Sequence, residues 1–313
     1  DAIAGVVNFI TKHDRTDGDI TVGYSKPQDG ATEKRVSLTK GFGSLDQDGY
    51  NVMVTIGHDE RTKLSSGDRS FADTGQRTFS QNGKQYRIQQ YSASPIPANA
   101  LDDRGQLISP YQRVNGSCPE KTFRVVQPYS IDGEDFVDDY CGYDFVKDLE
   151  IFPERKRSSI MLSGVTKAFG QELYADVLIA ETKQSSRIAP VPGQIGIDAG
   201  SALHNRYLAP IGITGDSVAF YRLFDMGQRT SNDVAGFASA VLGSRGSVAG
   251  WDYDASYNFS KSKVKGYIAG YPGALAVSNL TSSGLLDPFV GPGQQSAAAQ
   301  EAIRAATYVG YWD

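Results

Sequence analysis

The strictest constraint in this sequence is a two-residue alternation of apolar and polar side chains, which is clearest over residues 251–261. The odd positions from 251 to 259 hold Trp, Tyr, Ala, Tyr and Phe, whereas the even positions from 252 to 260 hold Asp, Asp, Ser, Asn and Ser. Successive side chains of a β-strand point to opposite faces of the sheet, so this segment has one aromatic face and one wholly polar face. Further strands are predicted at 20–25, 33–42 and 50–57 and, with poorer alternation, at 158–169, 173–183 and 234–243.

Composition agrees with a sheet-rich chain. Glycine makes up 34 of the 313 residues, and 17 Tyr and 14 Phe stand against only 3 Met, a profile that favours strands and turns over a helical bundle. No run of about 18 apolar residues occurs, which excludes a membrane-spanning helix but not membrane-spanning strands, because such strands alternate. The net charge of -5 supplies no basic excess for nucleic acid, so we expect no nucleic-acid partner.

The connections between the predicted strands differ sharply in length. Compact Gly-, Asp- and Ser-rich turns are predicted at 43–49, 170–172 and 244–250, while long loops are predicted at 62–151, 188–232 and 266–313. Short turns on one edge of a sheet and long loops on the other are the layout of an outer-membrane β-barrel. Within the last loop, the Ala-rich segment 294–307 predicts a helix.

Alternation alone leaves two architectures open. In a membrane barrel, side chains such as Val36, Leu38, Val54 and Ile56 would face lipid, and their polar neighbours would line a wet interior. In a soluble β-sandwich, the same apolar face would pack against a second sheet. Four aromatic residues next to turns favour the barrel, because barrels carry aromatic girdles at the membrane interfaces: Phe42, Tyr50, Trp251 and Tyr253.

The two cysteines, Cys118 and Cys141, lie in a polar region without the C-x-x-C spacing of a zinc or redox site. We predict that they form a disulfide, the alternative being two free thiols. A bridge here would close a long loop, stabilise the fold by about 3 kcal/mol and indicate an oxidising compartment.

Two sets of motifs resemble those of one known family. The first twelve residues, Asp-Ala-Ile-Ala-Gly-Val-Val-Asn-Phe-Ile-Thr-Lys, resemble the end of the plug domain of TonB-dependent outer-membrane receptors. The segment Gly250-Trp251-Asp252-Tyr253-Asp254 and the ending Tyr257-x-x-Ser260 resemble a barrel strand of that family.

The resemblance implies an all-β antiparallel meander of about seven or eight strands that forms part of a transmembrane β-barrel, with long extracellular loops and short periplasmic turns. It divides the chain into the end of a plug domain (1–12), a linker (13–17) and a partial barrel (18–313). Because the chain begins and stops within apolar runs, we expect it to be a fragment whose plug and energy-coupling segment lie upstream. The matching motif positions, with an expected structural role, are Asp1, Ala2, Gly5, Val7 and Asn8.

The family further implies active uptake of a scarce solute across the outer membrane of a Gram-negative bacterium. The implied partners are the energy-transducing protein TonB, outer-membrane lipid, and a siderophore, vitamin or glycan bound at the extracellular loops. No cofactor and no catalytic activity are expected. The alternatives are a passive porin-type barrel and a soluble β-sandwich that binds carbohydrate.

Candidate ligand contacts form a basic and aromatic set in the second long loop, because arginine and tyrosine suit anionic, ring-bearing ligands: Arg206, Tyr207, Tyr221, Arg222 and Arg229. The alternative is that these side chains pack the loop or are solvated. An acidic run carries oxygen atoms of the kind that Ca²⁺ prefers, but it lacks EF-hand spacing, so we predict a solvated loop: Asp132, Glu134, Asp135, Asp138, Asp139 and Asp144. No catalytic or metal-binding constellation is predicted.

Overall fold

The computed structural model describes residues 14–131 and 133–312, and it shows a mostly β chain built around one large antiparallel sheet. The first three strands, joined as consecutive hairpins, are β1 (Gly18–Ser25), β2 (Glu33–Phe42) and β3 (Tyr50–Arg61). All three confirm sequence predictions, although β3 continues four residues beyond the predicted end at residue 57. The plug-end motif positions lie outside the described residues.

The first long loop contains a succession of short elements rather than irregular chain. They are β4 (Leu64–Ser65), β5 (Gln76–Gln81), β6 (Lys84–Gln89), β7 (Asn99–Leu101), β8 (Leu107–Ile108), α1 (Pro110–Asn115), β9 (Thr122–Ile131), β10 (Glu134–Tyr143) and β11 (Glu150–Phe152). The strands β9 and β10 form a ten-pair antiparallel hairpin, and the disulfide between Cys118 and Cys141 joins this hairpin to the segment after α1. The predicted disulfide is therefore confirmed.

The chain then returns to the large sheet through β12 (Glu154–Ala168) and β13 (Gln171–Ile188), which a two-residue turn connects. The second long loop carries β14 (Pro192–Ile197) and β15 (Ser217–Arg222). These strands join two strands of the first loop in a four-stranded sheet of order β14-β15-β7-β8. The two loops are thus hydrogen-bonded to each other.

The last part of the large sheet has the longest strands, β16 (Arg229–Val248) and β17 (Trp251–Pro272). After them come α2 (Ala274–Ser282), α3 (Ala297–Ala306) and β18 (Thr307–Trp312), which pairs with β17 and completes the order β1-β2-β3-β12-β13-β16-β17-β18. The predicted helix is confirmed as α3. Two predicted boundaries were wrong: the second loop ends at residue 228, and the third occupies residues 273–306 rather than 266–313. No helix among the described residues has the length and apolar character needed to cross a membrane.

One face of the large sheet carries an exposed apolar band. Ile20, Leu38, Ile56, Ile160 and Ile179 stand directly opposite one another across five strands, and their side chains are 45–70% exposed. On the same face, four residues along each strand towards the long loops, β2, β3, β12 and β13 carry a row of charged side chains. Its members are Lys34, Glu60, Lys156 and Lys183. Among residues 14–131 and 133–312, no second layer covers the apolar band as it would in a β-sandwich.

The buried core lies in the long loops instead. We call residues 62–153, 189–228 and 273–306 the cap, because they leave the same edge of the sheet and share one hydrophobic core. The core draws on all three loops through, among others, Ile108, Leu208, Tyr221, Leu286 and Ile303.

At the opposite edge, the polar face of the sheet holds the chain that enters β1. The side-chain amide of Asn51, which is 1% exposed, donates to the carbonyl oxygens of Arg15 (2.8 Å) and Gly43 (2.7 Å). Gly41 permits this close approach, since a Cβ atom there would lie 1.6 Å from the Arg15 carbonyl oxygen. Residues 14–17 are therefore fixed to the sheet wall beside the short turns.

Candidate functional site

The three loops of the cap meet around a cleft of about 520 Å³. Small-molecule sites are concave, largely apolar and of roughly 300–1,000 Å³. This cleft also gathers residues that are distant in sequence, which makes it the candidate site. Its walls are mostly aromatic rings, prolines and aliphatic side chains, and a few polar side chains stand among them. The complete lining is Ile96, Pro97, Tyr111, Pro119, Glu120, Lys121, Tyr143, Phe224, Phe289, Val290, Gly291, Pro292 and Gln294.

Helix α1 and the disulfide position the wall that the first loop contributes. Ser109 caps the helix by accepting a hydrogen bond from the Gln112 amide at 3.3 Å, and Pro110 begins its first turn, where a missing N–H group costs nothing. The helix places Tyr111 at the cleft. The Cys118–Cys141 bridge then ties the neighbouring residues 119–121 to strand β10.

A buried arginine supports the second wall. The Arg222 guanidinium lies 4.5 Å from the centre of the Tyr143 ring, and it donates to the carbonyl oxygens of Ser94 (3.0 Å) and Pro190 (2.6 Å). Burial lowers the pKa of Arg222 to about 10. Burial, together with the hydrogen bond that its hydroxyl donates to Asp148, raises the pKa of Tyr143. Both groups keep their usual protonation states near neutral pH, and the pair joins the first two loops.

The third loop is held by Asp287. Its carboxylate accepts hydrogen bonds from the Phe289 amide (2.9 Å) and from the Tyr207 hydroxyl (2.8 Å). The Gln295 side chain accepts from the backbone amide of Asp287 and donates to its backbone carbonyl. The Tyr207 ring packs against the Phe289 ring with 4.9 Å between their centres. Burial and the Asp287 hydrogen bond raise the pKa of Tyr207 to about 12. Asp287 and Tyr207 thus hold Phe289 in its position in the cleft wall.

None of the five predicted ligand contacts lines the cleft. Tyr221 and Arg222 are 2% and 3% exposed, because strand β15 lies inside the four-stranded sheet, so neither is accessible to a ligand from outside. Arg229 donates to the Ala189 carbonyl oxygen at 2.7 Å. Arg206 has a 69% exposed side chain that lies over the Tyr207 ring and 3.8 Å from Asp287. Arg222 and Tyr207 act instead as supports of cleft residues.

The residues that do line the cleft were missed by sequence reasoning. Phe289 and Pro292 lie in the third predicted loop, and Gln294 was predicted to begin the helix that the structure starts at Ala297. Tyr111 and Phe224 stand in the first and second loops. The short apolar run before Arg222 was the available signal that the second loop holds a buried strand.

The acidic run was predicted to be a solvated loop, and this was wrong for most of its length, because residues 134–143 form β10. Its carboxylates have protein partners: Asp138 pairs with Arg113 at 2.8 Å, and Asp139 accepts from Gln112 at 3.0 Å and pairs with Arg124. Asp132 lies outside the described residues. Within the part of the chain that the structure describes, no group of three or more His, Cys, Asp or Glu side chains is arranged to hold a metal ion.

A larger cavity, of about 820 Å³, lies at the opposite edge of the molecule beside the short turns. Several of its charged side chains have protein partners: Arg245 pairs with Glu172 at 2.8 Å, and Asp254 accepts from the neighbouring Tyr174 hydroxyl at 2.7 Å. Lys167 in the same lining pairs with Asp46 at 3.1 Å. No residue of the cap contributes to this lining, whereas the cap cleft gathers residues from three separate loops, so the cap cleft is the better candidate despite its smaller volume.

Comparison with known proteins adds no assignment: no family model, no curated protein and no solved structure matches this chain.

Proposed function

We propose that this chain forms part of the wall and the outer cap of a TonB-dependent outer-membrane uptake receptor. The observation that carries the proposal is the uncovered apolar band on one face of the large sheet, opposite a polar face. Exposing such a row to water is unfavourable, whereas contact with lipid is not. The backbone groups of a strand within lipid must be paired, and each of the six inner strands of the sheet has a hydrogen-bonded neighbour on both sides.

The unequal edges of the sheet support the same proposal. Strands β12 and β13, and likewise β16 and β17, are joined by two-residue turns, whereas every long loop leaves the other edge and enters the cap. In outer-membrane barrels the short turns face the periplasm and the long loops face outward. The cap is then the first part of the protein that an external solute meets, and the proposed cargo is a siderophore, vitamin or glycan.

The proposal is tested with the complete gene, expressed in a Gram-negative host with and without TonB. We expect the protein in the outer-membrane fraction after a carbonate wash. We also expect uptake of one probe from a panel of ferric siderophores, cobalamin and labelled oligosaccharides, and loss of that uptake in the strain without TonB. Probe binding to intact cells should persist in both strains, since binding precedes the energised step.

The other functions give different outcomes. A passive porin-type barrel would take up the probe equally with and without TonB. A soluble carbohydrate-binding module would leave the membranes in the wash and run as a detergent-free monomer. Either result would reject the receptor proposal.

A further inference from the structure

We infer that the cap cleft binds an uncharged saccharide of one or two rings. This inference deepens the proposed function, on which it rests for the biological role of the cap, by selecting the glycan among the possible cargoes. The chemistry of the cleft itself carries the argument.

The walls match the apolar side of a sugar ring. Tyr111 and Phe224 are half-buried in the cleft, and the Phe224 ring meets the Tyr143 ring edge-on at 5.4 Å. Pro97, Pro119 and Pro292 complete the lining. The axial C–H groups of a pyranose form a flat apolar patch that packs on such rings, and a cleft of about 520 Å³ has room for two of them.

The polar side chains of the cleft match the hydroxyl edge of a sugar. Glu120, Lys121, Tyr111 and Gln294 line the cleft. Among the described residues, no side-chain hydrogen bond or ion pair joins Glu120, Lys121 or Tyr111 to a neighbour, and the Gln294 side-chain oxygen accepts from the Gly291 amide at 3.0 Å, which leaves its NH₂ group as a donor. Together they supply both donors and acceptors, and a sugar hydroxyl needs both. A purely aromatic ligand would leave them unused.

The charge balance disfavours the other cargoes. Glu120 and Lys121 cancel, and they are the only charged side chains lining the cleft among the described residues. The nearby Arg222 is buried and donates to two backbone carbonyls, so it offers nothing to an anion. A ferric siderophore with several negative charges would therefore find no surplus cation here.

The cleft is also built in advance of binding. The disulfide fixes residues 119–121, the Arg222–Tyr143 stack fixes the second wall, and Asp287 fixes Phe289. A preformed site loses less conformational entropy when a ligand binds.

The test is isothermal titration of the purified full-length receptor in detergent with maltose, cellobiose and N,N′-diacetylchitobiose as probes. We expect at least one disaccharide to bind. Tyr111→Ala, which removes a stacking ring and a hydroxyl, and Gln294→Trp, which fills the mouth from an exposed position, should each weaken binding at least tenfold. Gln89→Trp, on the exposed strand β6 and outside the cleft lining, is the matched control for Gln294→Trp and should bind like the wild type.

Several results would overturn the inference. They are binding of none of the three disaccharides, equal binding by both cleft variants when their melting curves match the wild type, and displacement of the sugar by 2,3-dihydroxybenzoate or ferric citrate at lower concentration. If Tyr111→Ala fails to fold, Gln294→Trp decides alone. Cleft-dependent sugar binding combined with TonB-independent uptake would reject the receptor proposal and leave the saccharide site standing.

Discussion

Two isoleucines show how differently the sheet and the cap use apolar residues. Ile160, in the middle of β12, is 45% exposed, whereas Ile303, in α3 of the cap, is 1% exposed. Ile303 packs in a core assembled from three loops, while Ile160 shares an uncovered row with Ile56 and Ile179. The two regions therefore suit different surroundings. The cap buries its apolar residues in its own core, as a domain in water does, and the sheet presents its apolar side to lipid in the proposed receptor.

Ile303→Ala should have the largest effect on stability, a loss of about 4 kcal/mol, because it removes buried methyl groups and leaves a cavity in the cap. Ile160→Ala should cost far less, since its side chain has little protein around it. The free energy of unfolding is measured by urea titration of the full-length protein in detergent. Equal losses for the two variants would show that the sheet and the cap share one kind of core.

Ile160→Arg tests whether the apolar face of β12 contacts lipid, the property that distinguishes the sheet from the cap. A charge on the lipid-facing side of a strand costs about 2–4 kcal/mol near the bilayer centre. Ser159→Arg, at the next residue and therefore on the polar face, is the matched control and should assemble like the wild type. Yield in the outer-membrane fraction and folding into lipid vesicles are the measurements. Similar defects in both variants would argue against lipid on one side of β12.

Cys118→Ala combined with Cys141→Ala should destabilise the cap by about 3 kcal/mol, because the bridge closes a loop with a sequence separation of 23. The large sheet contains no cysteine, so we expect only the cap to become sensitive to protease. A reducing agent added to the wild type should reproduce the pattern. Loss of the sheet signal in the same transition would mean that the two regions unfold together.

The sheet could be predicted from sequence because alternation is a local property. The segment 33–42 gives its strand without reference to any partner, and turn residues mark where the hairpins end. The strand ends were harder to predict. β16 and β17 run to 20 and 22 residues, and their outer halves lose the apolar alternation that identified residues 251–259.

The cap could not be predicted in this way, because its order depends on contacts between distant residues. Tyr221 and Arg222 were expected to face a ligand, since basic and aromatic side chains in a loop suit binding. The pairing of β15 with β14 and β7 buries them instead. Similarly, Phe289 and Tyr111 become neighbours of one cleft only after three loops pack together.

Asn51→Ala tests a fully buried side chain of the large sheet, which is as inaccessible to solvent as the core residues of the cap. We expect a loss of about 2 kcal/mol, since two buried hydrogen bonds to the Arg15 and Gly43 carbonyl oxygens disappear. The exposed Asn258→Ala, on the polar face of β17, is the control and should change stability little. Faster proteolysis near residues 14–17 would confirm that Asn51 fixes this segment. An unchanged cleavage rate would show that Gly41 and Lys40 hold it without Asn51.

The smallest expected effect is on the pH dependence of stability, through a set of hydrogen bonds that joins two loops of the cap. The Asp103 carboxylate accepts hydrogen bonds from the Gly215 amide (2.9 Å) and from the amide and hydroxyl of Thr214, and these bonds lower the pKa of Asp103. A carboxyl whose pKa is lowered in the folded state contributes stability above its unfolded pKa of about 4, and it loses that contribution as the pH falls towards the folded value. Asp103→Asn should therefore melt at a lower temperature than the wild type at pH 7, and the difference should shrink below pH 4. A difference that stays constant down to pH 3 would mean that the charge of Asp103 does not hold the two loops together.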